Sequence, residues 1–410
     1  MSDYITDGKG RNTMDKKIQP KLRFRGFTDA WEPRKLKSLL QESTQTSTDK
    51  EILSVTVANG IYPAREGARE SNPGESLEKY KVVHENDIVY NSMRLWQGAI
   101  AISHYEGIVS PAYTVCIPSV HINPDFISYL LKRPAALRMF YSLSQGNSKD
   151  TLILKYPLFS TIKFSLPAGR EQYHIARLLR CVDQLIDAEK RKLDLLQKKK
   201  RALLRQIFEQ KLRFAGYNNP WERCRLGDIT EFADYGIAAS AIPYDGTVRY
   251  LRITDIDDET RQVNIYELPS PDMKHRSRKE DYLRQGDLVF ARTGASVGKT
   301  YLNRSDRDDI VHAGFLIRFR LKDNICPEFI YQQTLGENYR KFIAITSQRS
   351  GQPGINSSEY ADWTLYLTSI EEQNQIGGLF GQLDELIAAL TQKIDLLMIK
   401  KKALLQQMFV

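Results

Sequence analysis

The chain has 410 residues, 41% of them hydrophobic and 27% charged, with a formal charge of +9 and a pI near 9.1. No apolar run approaches the ~20 residues a membrane span needs, and the first twenty residues lack the apolar core of a secretory signal. Four scattered cysteines, Cys116, Cys181, Cys224 and Cys326, form no Cys-x-x-Cys pair; they argue against a disulfide framework or zinc site and for the cytoplasm.

Residues 1–20 read as a mobile leader. The segment 21–165 opens with KLRFRGFTDAWEPRKL at Lys21–Leu36, and 211–366 opens with its echo, KLRFAGYNNPWERCRL, at Lys211–Leu226. Within these two blocks landmarks recur. Asn86-Asp87-Ile88-Val89-Tyr90 matches Gly286-Asp287-Leu288-Val289-Phe290, a turn leading into a short buried strand. Ile122 to Ile127 matches Ile325 to Ile330, each with a proline where the first turn of a helix tolerates it. Each block is expected to be a mixed α/β domain of short strands, one or two helices and long polar loops.

Between and after the blocks, 166–210 and 367–410 are expected to form two long helices. Glu171–Phe208 recurs 201 positions later as Glu372–Phe409. In the first copy Leu179, Val182, Ile186, Glu189, Leu193, Leu196, Lys200, Leu203 and Ile207 fall at alternating steps of three and four. Phe380, Leu383, Ile387, Leu390, Ile394, Leu397, Lys401, Leu404 and Met408 do so in the second. This is a heptad seam, suited to two helices burying one narrow stripe against each other as an antiparallel coiled coil. Lys200 and Lys401 interrupt it at the same place, as a register-setting polar residue does. Each 38-residue copy would be about 57 Å long. The expected architecture is therefore α/β: two mixed domains joined by two long packed helices, arranged with pseudo-twofold symmetry.

Catalytic constellations are weak. Gly294-Ala295-Ser296-Val297-Gly298-Lys299-Thr300 follows a strand as a Walker A loop does, but holds three residues between its glycines where that loop needs four. Tyr301-Leu302 after it reads as a strand, so a hairpin turn is expected, matched in the first block by Ser92–Ile100. Asn219-Pro220-Trp221 lacks the second proline of the adenine-methyltransferase motif. The six histidines show no metal-ligand spacing, and no Ser-His-Asp or Cys-His arrangement can be argued. Polar and basic residues on protruding loops suit contacts to DNA phosphates and base edges. The candidates are Asn91, Ser92, Arg94, Trp96, Gln97, Gln145, Asn147 and Lys149 in the first block. In the second they are Arg252, Arg292, Thr293, Ser296, Lys299, Gln348, Arg349, Ser350 and Gln352. Lys190–Arg213 adds ten basic residues against two acidic ones, either a solvated helix face or one turned to phosphates.

The duplicated plan, Tyr250–Ile256 (YLRITDI), Gly286–Lys299 (GDLVFARTGASVGK) and the joints Leu166-Pro167 and Glu371-Glu372-Gln373 carry a family resemblance over about 21–410. The chain resembles the specificity subunit of a Type I restriction-modification enzyme. The second joint departs from the pattern with Leu367-Thr368 in place of Leu-Pro, and the first hairpin lacks the Thr-Gly and Gly-Lys features. The resemblance implies a non-catalytic reader of double-stranded DNA, with each block a target-recognition domain for one half of a split site. The helices would set the gap and dock two methyltransferase subunits, a translocase-nuclease subunit joining for restriction. The chain itself would carry no cofactor or metal: S-adenosylmethionine, ATP and magnesium belong to those partners. Two other readings stay open, a nucleotide hydrolase using Gly294–Thr300 and a coiled-coil protein adaptor.

Overall fold

The computed structural model describes residues 19–67, 76–272, 281–349 and 351–410, with the backbone alone at 5–6 and 12–13. The chain divides into two compact units, residues 1–190 with 393–410, and residues 191–392. Both cuts fall inside the long helices, so each unit holds one mixed block and part of each helix.

The first unit begins with a short ladder of β1 (Ile5–Thr6) and β2 (Asn12–Thr13). Then come β3 (Glu32–Lys35), β4 (Leu40–Ser43), β5 (Leu53–Thr56), β6 (Gly60–Pro63), β7 (Lys81–Val83), β8 (Ile88–Asn91), β9 (Ile100–Ile102), β10 (Gly107–Val109) and β11 (Tyr113–Pro118). Helices α1 (Pro124–Leu131), α2 (Pro134–Leu143) and α3 (Tyr156–Phe159), strand β12 (Lys163–Leu166) and helix α4 (Gly169–Phe208) follow. The central sheet is antiparallel, in the order β4-β11-β8-β9, and β12 closes on β3. Alternation along a strand sends successive side chains to opposite faces. Accordingly Ile88 and Tyr90 of β8 pack with Phe126 and Leu130 of α1 and Leu179 of α4, while Val89 packs with Val55, Ile61 and Val109.

The second unit repeats the plan. Its strands are β13 (Glu222–Arg225), β14 (Thr230–Tyr235), β15 (Ala241–Ile242), β16 (Arg249–Leu251), β17 (Ser270–Pro271), β18 (Leu288–Ala291), β19 (Thr300–Leu302), β20 (Ile310–His312) and β21 (Leu316–Leu321). Helices α5 (Pro327–Thr334), α6 (Glu337–Thr346) and α7 (Ser357–Ala361), strand β22 (Thr364–Leu367) and helix α8 (Ile370–Gln407) complete it. The sheet order is β14-β21-β18-β19 and β22 closes on β13, while β16 and β20 pair in parallel. Leu288 and Phe290 face Phe329 of α5 and Phe380 of α8; Val289 and Ala291 face Leu251, Leu283 and Ile310.

The repeated phrases have a common structural cause. The turn before β8 and β18 takes a left-handed residue, Asn86 at φ 72° and Gly286 at φ 90°, a conformation those two residue types tolerate best. In each turn the following aspartate accepts from a backbone N–H three residues back, Asp87 from His84 and Asp287 from Arg284, both at 2.8 Å. At the joints, Glu171 takes both arms of Arg23 at 2.8 and 2.6 Å, and Glu372 those of Arg213 at 3.0 and 2.7 Å. The neighbouring glutamines, Gln172 and Gln373, accept from the backbone N–H of Asn123 and Cys326, at the starts of α1 and α5. The Glu-Gln pair thus pins a helix to the KLRF arginine and to the helix beside it.

The seam forms within each unit. In the first, α4 and α8 run antiparallel, with Asp183 opposite Lys401 and Glu189 opposite Lys393. In the second, Lys200 pairs with Asp384. The two seam lysines therefore meet the equivalent aspartate of the other copy, which is why both interruptions are polar. Leu179, Ile186, Ile207, Phe380, Ile387, Leu390, Ile394 and Met408 are buried, while Val182, Leu193, Leu196, Leu203, Leu383, Leu397 and Leu404 are half-buried. Phe409, at the end of the repeat, stacks on Phe126 and meets Trp31 edge-on in the first unit. Phe208 lies tilted against Phe329 and edge-on to Trp221 in the second.

Candidate nucleic-acid interface

The loop following β8 begins at Ser92. Its backbone N–H donates to Ala112 at 3.2 Å, in the loop before β11, and its carbonyl accepts from Leu154 at 2.9 Å. One residue thereby ties together three segments far apart in sequence. Arg292, after β18, does the same: its N–H donates to Phe315 at 3.1 Å and its carbonyl accepts from Ile355 at 2.9 Å. The loops that carry the candidate residues of each block, that of Asn91–Gln97 with that of Gln145–Lys149 and that of Arg292–Lys299 with that of Gln348 and Gln352, are therefore held together in each domain. Further backbone bonds close each set: Gln145 and Ile153 exchange a pair at 2.9 and 2.8 Å, and Gly294 donates one to Pro353 at 2.9 Å.

In the first domain Asn91 caps the turn through its side-chain oxygen, which accepts from the Met93 N–H at 3.0 Å. The Ser92 hydroxyl lies 3.2 Å from that of Thr114. Trp96 is half-buried, edge-on to Tyr141 at 5.5 Å. Arg94, Gln97, Gln145, Asn147 and Lys149 are exposed. Gly98 closes the turn at φ 97°.

In the second domain Gly294–Ser296 form one short 3-10 turn, and Thr300 returns as β19, antiparallel to β18. A phosphate-binding loop would deliver the chain into a helix N-terminus, so the hairpin expected from sequence is what forms. Thr293 and Ser296 are half-buried, and the carbonyl of Ser296 accepts from the Lys299 N–H at 3.0 Å. Gln348 and Gln352 are exposed, with the Gln348 amide donating to Ala344 at 3.1 Å. Ser350 lies outside the described residues.

Three basic candidates are occupied within the fold. Lys299 is buried, donating to the Ile256 carbonyl at 2.9 Å and pairing with Asp258. That makes it a strut between the hairpin and the 256–258 loop rather than an outward cation. Arg252 holds Asp255 at 2.7 Å, and Arg349 is paired with Glu359. The Lys190–Arg213 run is likewise partly spent: Lys198 pairs with Asp194, Lys200 with Asp384, Lys211 with Glu209 and Arg213 with Glu372.

The sequence pointed to the polar loops but not to two aromatic neighbours. Tyr235, at the end of β14, lies under the Arg292 guanidinium at 4.7 Å, and its hydroxyl accepts from the Ser357 N–H at 3.0 Å. Phe315 is 64% exposed in the β20–β21 turn. Both lie next to strand residues outside the polar loops, and nothing in the sequence sets them apart from core aromatics. Among the described residues no group of three His, Cys, Asp or Glu side chains could hold a metal ion, and no helix is long and apolar enough to cross a membrane.

Two similar domains, each presenting one polar surface laced from three loops, are what a duplicated recognition protein requires. The chain belongs to the family of Type I restriction modification DNA specificity domains, whose pattern it matches twice, over residues 28–198 and 218–397. It is 22% identical over 333 residues to the Type I restriction enzyme MjaVIII specificity subunit of Methanocaldococcus jannaschii, a match covering 75% of this chain and 74% of that relative. Its fold is similar to that of the Type-I restriction-modification system S subunit from M. genitalium. There the TM-score is 0.65 and the identity 13%, with 96% of this chain and 99% of the other covered.

Proposed function

We propose that the chain is the DNA-reading subunit of a Type I restriction-modification system, without catalytic chemistry of its own. Each three-loop surface reads one half of a bipartite site in double-stranded DNA, and the paired helices set the distance between the halves. The observation that carries this reading is the pair of matched bonds at Ser92 and Arg292. The same scaffold presents two unlike sets of side chains, as two unlike half-sites demand. Phosphate contacts position such a protein and base contacts specify its target.

The helices also suit a paired partner. Leu185 and its repeat equivalent Leu386 are 43% and 45% exposed, and Leu195 and Leu396 are 67% and 50% exposed. Each unit thus carries two outward leucines at equivalent places, a pattern that favours two copies of one partner, read here as methyltransferase subunits. S-adenosylmethionine, ATP and magnesium act in those subunits and in the translocase-nuclease, and the complex works in the cytoplasm.

Competition between specific and random duplex DNA tests the reading, with the specific site taken from the methylated positions of the source genome. The specific duplex should win by about a thousandfold or more at physiological salt. Equal competition by random DNA sinks the proposal. ATP binding by the chain alone, abolished by Lys299→Ala, would favour the hydrolase instead.

A further inference from the structure

Arg292 is held differently from six other arginines of its unit. In the same unit Arg249, Arg252, Arg304, Arg318, Arg320 and Arg349 each hold a carboxylate within the fold. Arg292 has no carboxylate partner among the described residues. Its side chain makes one long bond, to the Gly314 carbonyl at 3.5 Å. Yet it is not loose. Its backbone is tied on both sides to neighbouring loops, and its guanidinium lies 4.7 Å over the Tyr235 ring, which the Ser357 N–H anchors in turn. A planar fork held by stacking has already lost much of the rotamer freedom that binding would otherwise cost. Among the described residues its remaining N–H groups have no strong acceptor.

The equivalent position in the first domain supplies the second half of the argument. Ser92 makes the same two backbone bonds with a short neutral side chain. The scaffold therefore does not require a cation here; the side chain is free to follow the target. A rigid arginine fork on such a surface matches the O6 and N7 acceptors of guanine in the major groove. Resting on the proposal that these loops face DNA, we infer that Arg292 reads a guanine in the half-site of the second domain, with Tyr235 as its positioning residue.

The test uses the full chain and duplexes carrying its methylated site, with each guanine of the two half-sites replaced in turn by adenine or by 7-deazaguanine. For the unaltered chain, one guanine of a single half-site should be needed, its replacement weakening binding about tenfold to a hundredfold. Arg292→Ala and Arg292→Lys should bind the unaltered site correspondingly more weakly and become indifferent to that one replacement, while discriminating at every other position as before. Tyr235→Leu should lose part of the same preference and no other; a purely structural role would move all positions together. Uniform weakening across sequences by Arg292→Ala, with the salt slope reduced by about one, would make Arg292 a phosphate contact and overturn the inference. Unchanged discrimination at every guanine would overturn it too. In both cases the unaltered chain still prefers its site, whereas failure of the proposed function would show as no preference by the unaltered chain at all.

Discussion

Single side chains in this protein are decided by what their backbone permits. Gly98 and Gly298 close equivalent turns at φ 97° and φ 82°. A side chain on Gly98 would meet only Leu137, at 3.6 Å, whereas one on Gly298 would come within 2.7 Å of Ile343. Gly98→Ala should therefore cost about 1 kcal/mol from the left-handed backbone alone, and Gly298→Ala about 2–3 kcal/mol with the added crowding of Ile343. Urea unfolding of the two variants checks the ordering; equal losses would count against it. His312 offers a pH handle. It is 2% exposed, and burial holds its pKa down at about 4. Its ordinary value is about 6.5, so between the two the unfolded chain binds the extra proton and stability rises with pH. The contribution is whole above about pH 6.5 and is lost as pH falls toward 4, by up to about 3 kcal/mol. Urea midpoints at pH 7 and pH 4.5 should differ less for His312→Gln than for the unaltered chain. An unchanged difference would mean that other groups carry the acid sensitivity.

At the scale of elements, the long helices are locked by crossed pairs rather than by apolar seam alone. Lys200 meets Asp384, which also accepts from Gln332 at 2.8 Å, and Lys401 meets Asp183, which accepts from the Tyr129 hydroxyl at 2.7 Å. Removing one partner of a half-buried pair strands the other. Lys200→Ala should cost about 1–3 kcal/mol. The exchange Lys200→Asp with Asp384→Lys should recover part of the loss of either change alone, a coupling that a double-mutant cycle measures. Silent single variants would show that the polar step in the seam sets nothing.

For the whole molecule, reading DNA through phosphates and setting a gap through helices carry separable consequences. Binding should weaken with salt at a log–log slope of about −0.9 per phosphate neutralised, and a slope near zero argues against a DNA reader. Inserting one heptad after Lys190 and another after Gln392 keeps the a/d seam in phase. It lengthens each helix by about 10.5 Å. At about 3.4 Å per base pair, the gap in the methylated motif should grow by about three base pairs. Methylation of the original motif by such a variant would refute the helices as a spacer.

Much of this was legible in the residues themselves, because periodicity and repetition are properties of a single string. The heptad seam, the turn before β8 and β18, the prolines opening α1 and α5 and the doubled plan all follow from local chemistry repeated at a fixed offset. Tertiary structure decided what depends on distant segments meeting. The Asp183–Lys401 and Lys200–Asp384 pairs join residues that the sequence marks only as identical between copies. Lys299, Arg252 and Arg349 look outward in the sequence but are held by carboxylates that folding brings beside them. Arg292 reads in the sequence like any other loop arginine; only the fold lays it over Tyr235 with no carboxylate partner among the described residues. Charge can be counted along a chain, but whether a charge is free depends on which partner packs against it.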